Sequence, residues 1–235
     1  MTKHIAILKT GSTHPKLKTL FGDFESWFQK DIQGTQFTTF DLPSGDAPPA
    51  ADQYSGFIVT GSPAMVTDQE SWSENLKPLL KTLANRDIPL LAVCYGHQLL
   101  AEALGGKAGW HPQGREIGTV AITKTTQAEN DPLLSVLPST FFAQVTHAQS
   151  VLILPEGASH LAFNEYEPNH AYRIGQRVWS LQFHPEFSAD IMRGYLFETA
   201  EKLLNDGISV ADKLTEVKSA HASSNLIQRF VDLIE

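Results

Sequence analysis

The sequence predicts an α/β fold: an open, mixed, mainly parallel sheet with helices on both faces. Two observations carry this prediction. In the first half of the chain, short apolar runs alternate with helical patterns across short links, which is typical of parallel strands joined by helices. The runs are apolar throughout rather than alternating, as expected for strands that are covered on both faces.

The first half supplies four strands and two helices. The apolar runs predict strands over 4–10, 35–42, 56–63 and 88–93. Apolar side chains recur at helical spacing over 16–30 and 71–86. Ser71, followed by Glu74 three residues later, is expected to cap the second of these helices.

The second half changes character, because turns rather than helices separate its apolar runs. Strands are predicted over 114–125, 141–153, 158–164 and 171–183, and helices over 188–205, 209–219 and 223–234. Strands that follow one another through turns are expected to pair antiparallel. Without an internal repeat or a linker, we expect one domain over 1–235, with residues 205–235 as a helical C-terminal extension.

The composition excludes several classes of protein. The 235 residues carry a formal net charge of −8 and no cluster of Lys and Arg, which argues against a nucleic-acid partner. No apolar stretch approaches the ~18 residues that a membrane span requires, so no membrane partner is expected. The chain has 1 cysteine, which suits a reducing compartment, and the N-terminal apolar run is too short for a signal peptide. We therefore expect a cytoplasmic protein.

That cysteine, Cys94, lies where a predicted strand turns into a predicted helix. Gly96 follows two residues later and allows the helix to begin close by. A tight strand-to-helix turn projects a reactive side chain outward, and the helix N-terminus beside it favours a thiolate. The alternative is a buried structural cysteine, and the polar residues after Cys94 count against it.

A second motif, His184-Pro185-Glu186, supplies a base and its orienting group. His184 ends an apolar strand, and Pro185 forces the chain to leave that strand. Glu186, two residues along, lies on the same side of an extended backbone and can hold the imidazole. A cysteine nucleophile needs both groups.

Together, the Cys-x-Gly-His-Gln run at Cys94 and the His-Pro-Glu run at His184 resemble the class I glutamine amidotransferases, which are triad glutaminases with a flavodoxin-like fold. The likeness covers roughly residues 4–200 and is strongest to the glutaminase domain of GMP synthases and to stand-alone members. It implies that Cys94 is the nucleophile, His184 the general base and acid, and Glu186 the residue that orients His184.

The resemblance also implies an oxyanion hole and a substrate pocket. The turn at Gly61 and Ser62 matches the Gly-Gly-Pro turn of the family, and its backbone N–H and that of Tyr95 would stabilise the oxyanion. Substrate-binding positions are expected at Gln98, His147, Gln149, Arg115 and Glu116. For the segment around Arg115 and Glu116, an ordinary strand start is an equal alternative.

Three positions depart from the family pattern. Ala92 stands where Gly is usual, and we expect its methyl group to be tolerated. Ser62 replaces the second Gly and accepts fewer backbone conformations, which leaves open that the oxyanion hole forms only after a rearrangement. Gln149 replaces an Asp that helps to bind the ammonium group of glutamine, so larger γ-glutamyl compounds are expected to be better substrates.

The implied reaction is hydrolysis of the side-chain amide of glutamine or of a γ-glutamyl compound through a thioester, with no metal or cofactor. One alternative is a glutaminase subunit that passes ammonia to a separate synthase. A non-catalytic regulatory protein with this fold is a further alternative. A cysteine hydrolase of the α/β-hydrolase type, with Asp131 as the acid, is the weakest, because that family places its acid before the histidine.

Overall fold

The computed structural model describes residues 3–234, and within them eleven strands form two sheets. The strands are β1 Lys3–Lys9, β2 Thr35–Asp41, β3 Gly56–Val59, β4 Leu90–Val93, β5 Lys107–Trp110, β6 Glu116–Lys124, β7 Thr140–His147, β8 Gln149–Ile153, β9 Ser159–Phe163, β10 Ala171–Ile174 and β11 Val178–Leu181. The helices are α1 Pro15–Phe21, α2 Phe24–Gln29, α3 Ser71–Asn85, α4 Tyr95–Ala103, α5 Ala189–Glu198, α6 Ala200–Asn205, α7 Val210–Glu216, α8 His221–Ser224 and α9 Leu226–Asp232.

The large sheet has the strand order β2-β1-β3-β4-β11-β10-β9-β6-β7. From β2 to β11 neighbouring strands are parallel, and from β11 to β7 they are antiparallel. Strands β5 and β8 form the small antiparallel sheet. The mixed α/β sheet predicted from the sequence is thus confirmed.

Parallel pairing brings the segments after β1, β3, β4 and β11 to one edge of the sheet. In open α/β sheets ligands bind at this carboxyl edge. All residues of β3, β4 and β11 are buried, so the strands that deliver these segments lie in the interior. The position of any site at this edge is therefore fixed by the core of the fold.

Several predicted elements are divided in the structure. The helix expected over 16–30 is interrupted at Gly22, whose φ of 85° is left-handed, and Asp23 then caps α2. The helix expected over 188–205 is likewise two helices, α5 and α6, separated at Thr199. The N-cap of α3 is Glu70 rather than Ser71, which is the first helical residue.

Two predicted strands are divided as well. The run 141–153 gives β7 in the large sheet and β8 in the small one, with Ala148 between them. The run 171–183 is a hairpin of β10 and β11, with Gly175 in its turn at a φ of 58°. The residues at the two breaks, Thr146–Ser150 and Gly175–Arg177, are polar or small, and the turn at Gly175 is a sequence signal that the predicted single strand over 171–183 overlooks.

The C-terminal helices pack against both halves of the large sheet: α7 contacts β6 and α8 contacts β7, while Val231 of α9 accepts a hydrogen bond from Lys3 of β1. Helix α9 buries Leu226, Ile227, Phe230 and Val231 in the same apolar cluster as Trp179 of β11. Residues 1–2 and 235 of the predicted domain and its extension lie outside the described residues. Within 3–234, none of the helices combines the length and apolar character needed to cross a membrane.

A buried cation, Lys9, joins the end of β1 to α2. Its Nζ lies 2.9 Å from Asp23 Oδ2, 3.1 Å from Glu25 Oε2 and 3.4 Å from Asp41 Oδ2. Asp23 Oδ1 also accepts a hydrogen bond from the Thr13 amide at 2.8 Å. This cluster therefore fixes the segment after β1, at the carboxyl edge of the sheet.

The charges in this cluster shift one another's pKa. Burial by itself would raise the pKa of the Asp23 carboxyl, but hydrogen bonds from the Thr13 amide, Lys9 and Lys18 outweigh it and hold this pKa well below its usual range. Since the pKa is lower in the folded state than in the unfolded one, Asp23 stabilises the fold above about pH 4, and this contribution is lost as the pH falls.

We expect Asp23→Asn to lower the free energy of unfolding by about 3 kcal/mol at pH 7, because it leaves Lys9 with less buried counter-charge. The difference from the wild type should shrink at pH 3, where the wild-type carboxyl loses part of its advantage. Urea unfolding at the two pH values measures both effects. Asp52→Asn removes an exposed carboxylate and is the control; equal midpoints for the two variants at pH 7 would contradict the prediction.

Candidate active site

Cys94 lies in the sharp turn between β4 and α4, as the sequence predicts. Its backbone has φ 52° and ψ −101°, a conformation that side chains rarely adopt and that costs of order 1–3 kcal/mol. The Gly96 position must be glycine, because an added Cβ would lie 2.8 Å from the Val59 side chain. Helix α4 can therefore begin directly beside β3, with Cys94 at its N-terminus.

His184 follows β11, the strand beside β4. Its backbone N–H donates to Gln144 O at 2.8 Å, and its ring stacks on Phe187 with centroids 4.1 Å apart. Nδ1 lies 2.7 Å from Glu186 Oε1, and Nε2 has no hydrogen-bond partner among residues 3–234. The carboxylate thus fixes the ring and leaves the second nitrogen available.

Electrostatics keep the His184 imidazole charged. Burial by itself would lower its pKa, but attraction to Glu186 and Cys94 outweighs burial and raises the pKa of His184 to about 10. At neutral pH the ring therefore holds a proton on each nitrogen. One proton is shared with Glu186, and the other is free to be donated.

The loop after β3 closes over this pair. A Cβ added at Gly61 would lie 3.0 Å from His184 Cε1 and 3.6 Å from Cys94 Cβ. The bare backbone of Gly61 therefore approaches both side chains at once, and a side chain at this position would displace the imidazole.

Buried hydroxyl groups hold the peptide bond between Gly61 and Ser62. The Gly61 carbonyl oxygen lies 2.9 Å from Thr10 Oγ1 and 3.0 Å from Thr60 Oγ1, and both threonines are fully buried. Across a trans peptide the N–H points opposite to the C=O. The Ser62 N–H is therefore directed away from the two hydroxyls, and Ser62 has no left-handed φ that would strain it.

A cavity of about 400 Å³ opens at this point. Eight of the predicted site residues line it, namely Cys94, His184, Ser62, Tyr95, Gln98, His147, Gln149 and Arg115. The other three, Gly61, Glu116 and Glu186, are not among the residues that line the cavity. Among residues 3–234, no Asp or Glu forms part of the cavity wall.

Gln149 is occupied by the protein itself. Its Oε1 accepts from the Val66 amide at 3.0 Å, and its Nε2 donates to Thr67 Oγ1 at 2.6 Å. Its backbone carbonyl accepts from Gln98 Nε2 at 2.7 Å. The Gln149 carboxamide thus holds the loop at 66–67 against the cavity.

Glu116 lies on the far side of His147 from the cavity. His147 Nε2 is 2.9 Å from Glu116 Oε2, and its Nδ1 is 3.0 Å from the Gln149 carbonyl oxygen. Burial by itself would raise the pKa of Glu116, but the hydrogen bond from His147 and the nearby His170 outweigh it and lower this pKa. Glu116 therefore supports His147 and does not itself line the cavity.

Asp131, the acid of the α/β-hydrolase alternative, makes its hydrogen bonds and its ion pair with residues other than His184. It accepts hydrogen bonds from the Leu133 and Leu134 amides, both at 2.9 Å, and pairs with Arg173 Nε at 2.8 Å. These contacts occupy the Asp131 carboxylate. His184 meets Glu186 instead, so the geometry does not favour the α/β-hydrolase arrangement.

Sequence reasoning missed Thr10, Thr60 and Lys202. Thr10 and Thr60 each directly follow a parallel strand, β1 or β3, so their position at the carboxyl edge could have identified them. Lys202 lies on α6 and lines the cavity, and no local pattern distinguishes it from other surface lysines.

Comparisons with known proteins agree with this geometry. Residues 33–202 match the family model described as glutamine amidotransferase class-I. The chain is 28% identical over 233 residues to gamma-glutamyl peptidase 4 of Arabidopsis thaliana, covering 97% of this chain and 90% of that protein. It is 35% identical over 157 residues to a glutamine-hydrolyzing GMP synthase of Porphyromonas gingivalis, covering 66% of this chain and 28% of that protein.

A solved structure supports the fold. A glutamine amidotransferase from Methylobacillus flagellatus superposes with a TM-score of 0.81 at 21% identity, covering 100% of this chain and 96% of that one. This likeness confirms the predicted α/β fold.

We expect the His184 imidazole to remain protonated at pH 8 and to titrate near pH 10, because Glu186 and Cys94 stabilise its charge. Imidazole ¹⁵N chemical shifts, assigned by loss of the signal in His184→Asn, measure this. Glu186→Gln and Cys94→Ala should each lower the pKa. A wild-type titration near the ordinary value of about 6.5 would contradict the geometry.

Proposed function

The chain belongs to the class I glutamine amidotransferase family, and we propose that it hydrolyses the side-chain amide of glutamine or of a γ-glutamyl compound through a thioester on Cys94. One observation carries the assignment of residues. His184 is fixed by Glu186 through Nδ1, its Nε2 is unpartnered among residues 3–234, and it lines one cavity with Cys94. A cysteine nucleophile, a base and an orienting acid are thereby combined.

In the first half of the reaction, Cys94 Sγ attacks the carboxamide carbon as the thiolate, the form in which cysteine acts as a nucleophile, and a C–S bond forms. The C–N bond then breaks, and the proton on His184 Nε2 passes to the departing nitrogen, which leaves as ammonia or an amine. The raised pKa of His184, about 10, ensures that this proton is present at neutral pH. The γ-glutamyl group remains as a thioester on Cys94.

In the second half, the neutral His184 removes a proton from water, and the resulting hydroxide attacks the thioester. The C–S bond breaks, glutamate is released and Cys94 recovers its electron pair. Glu186 keeps the imidazole in one orientation throughout and stabilises its charged form, as the acid of a catalytic triad does.

The backbone N–H groups of Ser62 and Tyr95 are assigned to the oxyanion. Tyr95 is the first residue of α4, so its N–H lacks a helical acceptor. The orientation of the Ser62 N–H is supported by the two hydroxyls that hold the Gly61 carbonyl. This support favours a preformed oxyanion hole over one that needs a rearrangement.

Larger γ-glutamyl compounds are the favoured substrates within this function. Glutamine and γ-glutamyl compounds share an α-ammonium group, and no carboxylate among residues 3–234 lines the cavity to receive it. A larger leaving group can supply the binding energy that this missing ion pair does not. One relative that the chain matches over nearly its full length is a gamma-glutamyl peptidase. The free thiol must stay reduced, which favours a reducing compartment such as the cytoplasm.

The second candidate is a glutaminase subunit that delivers ammonia to a separate synthase. The match to a glutamine-hydrolyzing GMP synthase favours this alternative. It covers 28% of that protein, so this chain resembles one part of a larger enzyme. A purified chain that releases ammonia only when a partner is added would support this alternative. A non-catalytic role would require that Cys94 forms no covalent adduct with a glutamine-mimicking electrophile.

We expect Cys94→Ala to lower kcat/KM for γ-glutamyl amides by roughly 10⁴-fold, since the covalent route is lost. Glu186→Gln should retain more activity than His184→Ala, because the imidazole survives. Ammonia or amine release measures the rates, and mass spectrometry locates the adduct. His221→Ala changes an exposed histidine and is the control. A Glu186 variant that is more damaged than the His184 variant would overturn the assigned roles.

We expect Thr10→Val to lower kcat by about tenfold with little change in KM, because the oxyanion forms only in the transition state. Thr10→Ser should restore activity, since it returns the hydroxyl, and Thr10→Val with Thr60→Val should be worse than either alone. Steady-state kinetics on folded variants measure this. A raised KM at constant kcat would show that the hydroxyls act on substrate binding instead.

A further inference from the structure

The charge on the cavity wall is one-sided. Arg115 and Lys202 both line the cavity, whereas no Asp or Glu of residues 3–234 does. Two cations on the cavity wall, with no carboxylate on that wall to neutralise them, favour an anionic group of the ligand in the cavity. Neither of the proposed chemical steps uses these two side chains.

Arg115 is largely buried, with 10% of its side chain exposed. Its Nε lies 3.5 Å from Asp206 Oδ2, and this atom has no hydrogen-bond partner among the described residues. Asp206 does not line the cavity. The ion pair therefore engages the Nε edge of the guanidinium and leaves its terminal nitrogens for a planar anion such as a carboxylate.

Lys202 lies one helical turn before Asp206, whose backbone N–H donates to Lys202 O at 3.0 Å. Its side chain is exposed and forms no ion pair within residues 3–234. Arg115, Lys202 and Asp206 together carry one net positive charge. The cluster can thus accept one carboxylate without leaving a cation unpaired.

We propose that Lys202, together with Arg115, forms a subsite for a carboxylate on the leaving group of the substrate. This inference rests on the hydrolase function proposed above and names its substrate class. The substrates are γ-glutamyl dipeptides, in which the one residue after the γ-glutamyl group carries a free carboxylate. Gln98, His147 and Gln149 are almost fully buried and enclose the glutamyl side. Exposed Lys202 marks the open side, where the leaving group departs.

The test compares γ-glutamyl-glycine with γ-glutamyl-glycinamide, in which the carboxylate is replaced by a neutral amide. Lys202→Gln should lower kcat/KM for the acid by about fivefold and change that for the amide by less than about twofold. Dividing each variant by the wild type cancels the different reactivity of the two leaving amines. The loss should diminish at high ionic strength, because Lys202 is exposed.

Two controls accompany this comparison. Lys202→Arg keeps the charge and should keep the preference for the acid. Lys81→Gln removes an exposed lysine on α3, away from the cavity, and should leave both substrates unchanged. Thermal melting of each variant separates a loss of fold from a loss of recognition.

Binding to Cys94→Ala, measured by calorimetry, gives the same comparison without turnover. If the wild type hydrolyses neither compound, the proposed function fails, and the Kd ratio of Cys94→Ala with and without Lys202→Gln still decides the subsite. Equal losses for acid and amide would overturn the proposal, because the cations would then hold the glutamyl part. No loss for either compound would overturn it as well.

Discussion

The left-handed backbone of Cys94 is the constraint on which the candidate site depends. It ends β4 and begins α4 within one residue, so the thiol stands at the carboxyl edge of the sheet. The Cys94 N–H still donates to Leu181 O of β11 at 2.8 Å, which keeps the elbow in the sheet. A strain of order 1–3 kcal/mol is small beside the burial of the surrounding strands.

From this constraint the neighbouring strands determine the other groups. Strand β3 lies on one side of β4 and leads to the loop at Gly61, while β11 lies on the other side and leads to His184. The proposed nucleophile, the proposed oxyanion donors and the imidazole therefore follow three adjacent parallel strands. Their mutual positions depend on backbone pairing rather than on flexible side chains, which provides the preorganisation that catalysis requires.

Whether the sequence predicts a site residue depends on whether a short motif or a long-range contact places that residue. Cys94, His184 and Glu186 lie in short local motifs at strand ends, so a single sequence is enough to select them as candidates. The contacts of Gln149 with the loop at 66–67, and of Glu116 with His147, join segments distant in the chain, and no local pattern encodes them. The break at Ala148 is hard to predict for the same reason, because pairing with distant strands assigns β7 and β8 to different sheets.

Chemistry and specificity are consequently separable in this molecule. The groups assigned to the reaction are held by central strands, while Arg115 precedes β6 and Lys202 lies on α6 near the C-terminus. Gln149 illustrates the separation: its carboxamide lines the cavity and fixes the loop at 66–67. A substitution at Arg115, Lys202 or Gln149 can therefore change what the cavity binds without altering the turn at Cys94, because these three side chains share no hydrogen bond with Cys94, His184 or Glu186 among those described.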